Sequence, residues 1–375
     1  MIAADPHQGG ATWAALQYVL GLKELGHKVL VIEPIPAKSI RPVGCPLSES
    51  MNAAYFRQVA ADFELTKTAA LLLENSRETV GLSYDQLHSF ASRADVLINV
   101  SGMLSDRKLV DRIPTTAYLD LDPAFIQLWH SVYGIDMQLE RHTHFVTVGL
   151  ALGTPTCHVP TCGKNWIHTF QPVVLAHWPR CREIRYDGLT TVGNWRGYGS
   201  VEYKGEFYGQ KAHSFRELVE LPRQTKERFC LALAIHSDET SDLEAISRCG
   251  WSLLDPRNVA GTPAAYREFI QHSKAEFGLA KSGYVASKCG WFSDRSACYL
   301  ATGRPVIAQD TGFSDYLPTG EGLFAFRTVA DAVRCIDTMN NDYEYHADAA
   351  RRIAENHFRS ERVLTALLQQ LGAIS

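Results

Sequence analysis

Short apolar segments alternate with amphipathic stretches along the whole chain. In the first half these segments are 29–32, 94–102, 115–123 and 143–153. In the second half they are 189–195, 228–235, 251–256, 275–281 and 305–310. Fully apolar strands are typical of parallel sheets that are covered by helices on both faces. The pattern therefore predicts two α/β series, separated by an irregular segment at 172–188.

The stretch 9–26 predicts the first helix. A glycine pair precedes Thr12, which suits a helix N-cap, and Gly26 suits the helix end. Apolar residues fall near one face of this helix at Trp13, Leu16, Leu20 and Leu25. Ahead of it only residues 2–4 are apolar, so we expect either a very short first strand or a trimmed start. Two further helices are predicted near the other end, at 343–357 and 360–371.

The length of 375 residues suits two domains of roughly 150–200 residues each. We place the first domain at 1–187, the second at 188–342 and the closing helices at 343–375. The net charge of −4 provides no overall positive field for nucleic acid or anionic lipid. No apolar run reaches the ~18 residues that a membrane span needs, and no segment typical of a signal peptide follows the start.

The nine cysteines are odd in number and contain no C-x-x-C pair. Reduced thiols in a cytoplasmic protein are the expected state. The group Cys157, His158, Cys162 and His168 has a spacing that matches no zinc site. The triplet Asp120-Leu121-Asp122 follows a strand, where two carboxylates could hold a hard cation. A helix N-cap or an acceptor contact is the alternative for these acids, and we expect no metal or other cofactor.

The stretch 290–323 contains the clearest signal for a binding site. Ser293 or Asp294 suits the N-cap of a helix at 296–302. Arg295 then lies in the first turn, where the helix dipole disfavours a cation unless an anion is bound there. The loop 310–312 (Asp-Thr-Gly) leaves the carboxyl end of the next strand, the edge where open α/β sheets bind ligands. Both a diphosphate site and an ordinary capped helix with a solvated arginine fit this stretch.

Several segments together resemble nucleotide-sugar glycosyltransferases of the GT-B fold. The opening "GGATWAALQYVLGLKELGHKVLVIEP" is similar to the glycine loop, helix and strand that begin many members. The segment "YLATGRPVIAQDTGFSDYLPTGEGLFAF" is similar to the family's "A-x-G-x-P-V" region, and the last helices resemble its closing helices. The resemblance implies two Rossmann-like, doubly wound α/β domains that face a cleft. It also implies that the C-terminal helix crosses back to the first domain.

The segment "KCGWFSDRS" resembles the "HCGWNS" box of natural-product glycosyltransferases, with departures. Lys288 and Phe292 replace the histidine and the asparagine of that box. Cys298 stands near the position where retaining members carry a ribose-binding glutamate. The resemblance therefore leaves the subfamily open, as well as the choice between inversion and retention of the anomeric configuration.

The resemblance implies that helix amino termini and basic side chains, in place of a metal, hold the nucleoside diphosphate. The implied donor-binding residues are Gly9, Gly10, Lys281, Ser293, Asp294, Arg295, Ser296, Asp310, Thr311, Gly312 and Phe313. The last four of these would face the sugar, and the loop 256–262 would face the base. His7 is the first candidate for the general base, since many inverting members place a histidine there. Asp120 and His144 are the next candidates.

Transfer of a sugar to an acceptor hydroxyl is the function that the resemblance implies. A sugar-nucleotide epimerase or phosphorylase on the same fold is an alternative, and so is a binding protein without catalysis. The acceptor stays open between a small molecule, a glycan and a modified nucleobase, as does the oligomeric state. Four aromatic residues of the first half are candidates either for the acceptor cleft or for the core: Trp129, Tyr133, Trp166 and Trp178.

Overall fold

The apolar segments form the strands of two α/β halves. The computed structural model describes residues 1–374. In the first half the strands are β1 (Val31–Ile35), β2 (Ala69–Leu73), β3 (Thr79–Gly81), β4 (Val96–Val100), β5 (Thr115–Asp120), β6 (His144–Thr147) and β7 (Trp166–His168). The helices there are α1 (Gly9–Glu24), α2 (Met51–Asp62), α3 (Tyr84–Ala91), α4 (Arg107–Val110) and α5 (Phe125–Tyr133).

The strands of the first half are arranged in two sheets. One has the order β1-β2-β3, in which β1 and β2 are parallel and β3 is antiparallel. The other has the order β4-β5-β6-β7 and is parallel throughout. Residues 2–4, which the sequence offered as a very short strand, are buried but form no strand. Their backbone is instead held by side chains of neighbouring elements.

The second half contains one parallel sheet of six strands, in the order β12-β11-β8-β13-β14-β15. Its strands are β8 (Tyr186–Asn194), β11 (Phe229–Ala234), β12 (Ser252–Leu253), β13 (Ser273–Gly278), β14 (Val306–Gln309) and β15 (Leu323–Phe326). An antiparallel hairpin, β9 (Val201–Tyr203) and β10 (Glu206–Tyr208), follows β8. The predicted domain boundary at 187–188 falls within β8.

Helices surround the second sheet and then return to the first half. They are α6 (Lys211–Leu218), α7 (Thr240–Cys249), α8 (Pro256–Ala260), α9 (Pro263–Gln271), α10 (Ser282–Ser287), α11 (Asp294–Ala301), α12 (Val329–Asn341), α13 (Tyr343–Ile353) and α14 (Ser360–Gln370). Leu364 and Leu367 of α14 share a core with Tyr18 of α1. The predicted crossing of the last helix back to the first domain is therefore confirmed. Among residues 1–374, no helix is both long and apolar enough to traverse a bilayer.

The two halves meet closely at the start of α1. A Cβ atom on Gly9 would lie 2.3 Å from the carbonyl oxygen of Thr262, so only glycine permits this approach. Trp13 Nε1 donates a 2.8 Å hydrogen bond to the carbonyl oxygen of Pro263 across the same contact. Gly9, the first residue of the glycine pair that the sequence marked as a phosphate loop, thus also makes a backbone-to-backbone contact between the halves.

Gly9→Ala is expected to lower the stability of the protein. The added methyl group would force the backbones of the two halves apart, at a cost of about 1–3 kcal/mol. Gly197→Ala is the matched control, because a Cβ atom at Gly197 would meet nothing within 4 Å. Thermal unfolding followed by circular dichroism should show a lower Tm for Gly9→Ala alone. Equal Tm values for the two variants would contradict the tight contact.

Candidate functional site

Three cations gather near the carboxyl ends of β8 and β13, on the side of the second half that faces the first. Lys211 is the first residue of α6, Arg295 is the second residue of α11, and Lys281 directly precedes α10. Lysine and arginine are disfavoured in the first turn of a helix, because the backbone N–H groups there already carry partial positive charge. Placing cations at the starts of α6 and α11 is therefore unfavourable unless an anion lies between them.

Lys211 has no counter-charge in direct contact. Its side chain is buried, with 8% of the residue exposed, and its ammonium group makes no hydrogen bond with any residue in 1–374. Burial holds the pKa of Lys211 well below its usual value, and the nearby positive charge of Arg295 lowers it further. The ammonium nitrogen lies 2.8 Å from where a Cβ atom on Gly193 would be, so a side chain at position 193 would displace it.

Arg295 also lies near Gly193, with Nη1 3.8 Å from that same Cβ position. Its guanidinium is buried and donates to Glu276 Oε1 at 2.5 Å and to the carbonyl oxygen of Val192 at 2.8 Å. Glu276 is fully buried, and its Oε2 has no hydrogen-bond partner within the described residues. Arg295, which the sequence predicted to bind phosphate, is thus held in place by a buried ion pair with Glu276. Its remaining nitrogen, Nη2, is not used by these contacts.

Lys281 joins the two halves through Asp122, which lies just after β5. Its ammonium nitrogen is 3.1 Å from both carboxylate oxygens of Asp122. Tyr198 and Tyr284 also donate their hydroxyl groups to this carboxylate. The same ammonium group lies 5.1 Å from the ring centroid of Phe125, within reach of a cation–π interaction. One carboxylate of the first half is thereby bound by three side chains, two of which come from helix α10 and its N-cap.

Burial shifts the pKa of the three side chains that bind Asp122. It lowers the pKa of Lys281, while the negative charge of Asp122 acts in the opposite direction. Burial raises the pKa of Tyr198 and of Tyr284, and the charge of Asp122 raises both further. The two phenols therefore remain protonated and act as hydrogen-bond donors to the carboxylate.

Asp120, a predicted catalytic candidate, lies at the end of β5 and is fully buried. Its carboxylate accepts hydrogen bonds from Gln127 Nε2 at 2.8 Å, Thr147 Oγ1 at 2.9 Å and the backbone N–H of Asp122 at 2.9 Å. Burial raises the pKa of Asp120 to about 7, although the hydrogen bonds from Gln127 and Thr147 favour its ionised form. These contacts position the loop that carries Asp122.

The other two candidates for the general base belong to elements that carry none of the three cations. His7 is exposed, and its ring packs edge-to-face on Tyr55 with centroids 5.0 Å apart. Both rings line a groove between α2 and the start of α9. His144 is the first residue of β6 and pairs with Ala117, three residues before Asp120 along β5. The structure therefore places His144 about 10 Å along the strands from the edge that carries Asp120 and Asp122.

The loop after β14 packs against the segment before α11. Asp310 accepts from the backbone N–H of Gly312 at 2.9 Å, from Ser314 Oγ at 2.9 Å and from Arg327. Thr311 donates its hydroxyl group to the carbonyl oxygen of Trp291. Phe313 is buried against Phe292, with ring centroids 5.1 Å apart. These side chains fix the shape of the loop, and Gly312 takes a φ of +92° that favours glycine.

The start of α11 has polar groups that neighbouring side chains do not satisfy. Ser293 occupies the N-cap position, but its hydroxyl group caps no backbone N–H of the helix. Ser293 and Ser296 are both buried. Asp294 lies beside them, and burial raises the pKa of its carboxyl group while Arg295 opposes that shift. The predicted residues 293–296 therefore lie together next to Glu276 and Lys211.

The four aromatic candidates lie in two different environments. Trp178 is fully buried beside Trp13, and Trp166 packs on Phe145, so both belong to the core. Trp129 instead lies 4.5 Å from the ring of Tyr198, and Tyr133 is exposed. Only the latter two border the contact between α5 and the β8–β9 loop.

The sequence interpretation did not identify Lys211, Glu276, Tyr198 and Tyr284 as site residues. Lys211 follows a glycine-rich loop and opens a helix, which is the same signal that singled out Arg295. Glu276 and Tyr284 sit within apolar segments, where the sequence offers no reason to separate them from core residues. Within residues 1–374, no group of three or more His, Cys, Asp or Glu side chains is arranged to hold a metal ion.

No protein-family model matches the chain, and no curated protein matches it. Several solved structures are similar to the chain. HepE of Anabaena, in complex with UDP and glucose, aligns over 85% of this chain and 89% of its own, with 11% identity and a TM-score of 0.54. An alpha-glucosyltransferase in complex with UDP and a 13-mer DNA containing a central A:G mismatch aligns over 98% and 97%, with 11% identity and a TM-score of 0.58.

A glycosyltransferase from Rickettsia africae aligns over 99% of this chain and 97% of its own, with 11% identity and a TM-score of 0.53. At such identities the likeness concerns the fold. The three alignments span 85–99% of this chain. The chain has the GT-B fold of these solved glycosyltransferases, as the sequence predicted.

Proposed function

We propose that this protein transfers a sugar from a nucleoside diphosphate sugar to an acceptor hydroxyl group without a metal ion. The observation that supports this most is the unpaired ammonium group of Lys211, buried beside Arg295. A buried cation without a counter-charge in direct contact destabilises a protein, and such groups are retained mainly where a ligand compensates them. A diphosphate would supply that charge.

The donor diphosphate would lie between the starts of α6 and α11. Lys211 and the free Nη2 of Arg295 would bind its oxygens, and the uncapped N–H groups of α11 beside Ser293 would add further donors. As the sugar leaves, negative charge grows on the diphosphate. Cations that are fixed in place before the reaction stabilise that charge in the manner for which other transferases use a metal ion. Asp310, Thr311, Gly312 and Phe313 would then border the sugar.

UDP is the nucleotide to test first. It is bound in the HepE and alpha-glucosyltransferase structures to which this chain is similar. The acceptor would enter from the first half, where Trp129 and Tyr133 border the β8–β9 loop. His7 would remove the proton of the acceptor hydroxyl, since its ring is exposed at the groove between the halves.

UDP should bind with the same affinity in the presence and absence of EDTA, as measured by calorimetry. Lys211→Met should weaken this binding by roughly 10- to 100-fold, because a charge-assisted hydrogen bond contributes about 1.5–3 kcal/mol. Lys67→Met, at an exposed lysine, is the control. Binding that disappears in EDTA would point to a cation held by Asp120 and Asp122. No binding of UDP, TDP or GDP would refute the proposed donor class.

The same Lys211→Met variant should be more stable than the parent at pH 7. The lowered pKa of Lys211 means that this side chain binds fewer protons in the folded state than in the unfolded chain. Stability therefore increases with pH between the lowered pKa and the unfolded value of about 10.4, and the penalty is fully present below that window. Methionine removes the penalty, so the difference in Tm between variant and parent should shrink as the pH approaches 10. A less stable variant at pH 7 would show that Lys211 is compensated within the protein.

His7→Ala should lower turnover by about 10²–10⁴-fold while donor affinity stays within a few-fold of the parent, because the base acts on the acceptor. Asp120→Asn and His144→Ala are the parallel variants. If His7→Ala turns over normally and one parallel variant is inactive, that residue replaces His7 as the candidate base. If all three remain active, a retaining mechanism is the better account, in which the leaving phosphate takes the proton.

A further inference from the structure

The two sheets of the first half face each other across an open slot. It lies between β1 and β4, has a volume of about 770 Å³, and no hydrogen bond among residues 1–374 joins its two edges. Both faces of the slot are covered. Val96 and Ile98 share a core with Tyr18 of α1, whereas Ile32 and Leu97 share a core with residues of α3 and α4. The slot therefore has the surroundings of an interior strand and not of a sheet edge.

Unpaired backbone groups point into this slot. The N–H of Val31 donates to Thr68 on the β2 side at 2.8 Å, so the N–H and C=O of the next residue, Ile32, point to the opposite side. The N–H of Ser101 donates to Leu119 on the β5 side at 2.9 Å, and the same alternation points the backbone of Ile98 into the slot. Ile32 and Ile98 are only partly exposed, and backbone groups withdrawn from water are nearly always paired, so the slot suits a further strand.

One end of the slot is already occupied by the chain itself. Ile2 and Ala3 are buried, and the N–H of Ala3 donates to the carboxylate oxygens of Glu33 at 3.0 and 2.9 Å. Asn52 Nδ2 donates to the carbonyl oxygen of Ala3 at 2.8 Å. These contacts fix residues 2–4 beside the carboxyl end of β1, and Met1 lines the slot. A strand that ran backwards from Met1 would therefore enter the slot directly and lie parallel to β1.

Connectivity agrees with this placement. Helix α1 follows residues 2–4 and returns the chain to the start of β1. A strand, a covering helix and a parallel neighbouring strand form the right-handed crossover unit of α/β sheets, and here the first strand of that unit is lacking. Edge strands are commonly short or carry charged residues. The residues of β1 and β4 whose backbone groups face the slot include Ile32, Val96 and Ile98, which are all apolar.

From these observations we infer that the slot takes one parallel β-strand of about five apolar residues, supplied by a segment joined to Met1 on its amino side. Five residues span about 16 Å, the length of β4. This strand would join the two sheets into one of eight strands, in the order β3-β2-β1, the added strand, then β4-β5-β6-β7. Its side chains are apolar on both faces, because both faces are covered. The inference does not rest on the proposed glycosyl transfer.

The first test is the intact mass and the amino-terminal peptide of the protein purified from its own cells. The expected result is a chain that extends at least about five residues ahead of Met1, with an apolar segment directly before it. A chain that starts at Met1 would overturn the inference. So would a charged segment at that position, or a slot filled by a separate peptide.

The second test is hydrogen exchange in the extended chain and in the 375-residue chain. The amides of Ile32, Val96 and Ile98 should exchange at least about 10-fold more slowly in the extended chain. The amide of Ala117, inside the paired strand β5, is the internal control. A proline in the middle of the added segment should abolish this protection, since it removes a backbone donor. Equal exchange of the three slot amides in both chains would refute the inference.

Discussion

Compensation of buried charge is the constraint on which the arrangement of the second half depends. Arg295 is buried and is paired with the fully buried Glu276, whereas Lys211 is buried beside them with no partner. Taking a charge out of water costs several kcal/mol, and the carboxylates of Glu276 and Asp294 act on Lys211 only from a distance. The ammonium group of Lys211 therefore has no counter-charge in direct contact. Gly193 permits this arrangement, because the lack of a side chain there leaves room for the ammonium group of Lys211.

The same constraint connects the two halves. Lys281 is a third cation, partly buried, and its counter-charge, Asp122, belongs to the other half of the molecule. Asp122 is positioned by Asp120, whose carboxylate is fixed to α5 and β6 through Gln127 and Thr147. Any motion that separates the halves would expose this ion pair or leave Lys281 buried without compensation. The backbone contact at Gly9 and the Asp122–Lys281 pair thus act together at the face where the halves meet.

The polar residues of the site fall into two groups according to their hydrogen-bond partners. Asp120, Asp310 and Glu276 use their oxygens on neighbouring elements, so their charges determine the shape of the loops. Lys211 and the start of α11 retain unused donor groups, so they are the groups available to a ligand. Placing such groups in the protein lowers its stability, a cost that is common where binding requires charge.

The sequence by itself determined the α/β series, because buried parallel strands are nearly continuous apolar runs that can be identified without knowing their neighbours. It also located the start of α11 and the loop after β14, where serine, aspartate, arginine and glycine mark a cap and a turn. The sequence interpretation missed β2, β3, β7, β15 and the hairpin β9–β10, since short strands depend on their partners. Which charges meet was decided by tertiary structure alone. Lys211, Glu276 and Arg295 lie 19 to 84 residues apart, and Asp122 and Lys281 are 159 residues apart. Burial and pairing are properties of the folded molecule, because the free energy of a charge depends on the medium and the groups around it and not on its position along the chain.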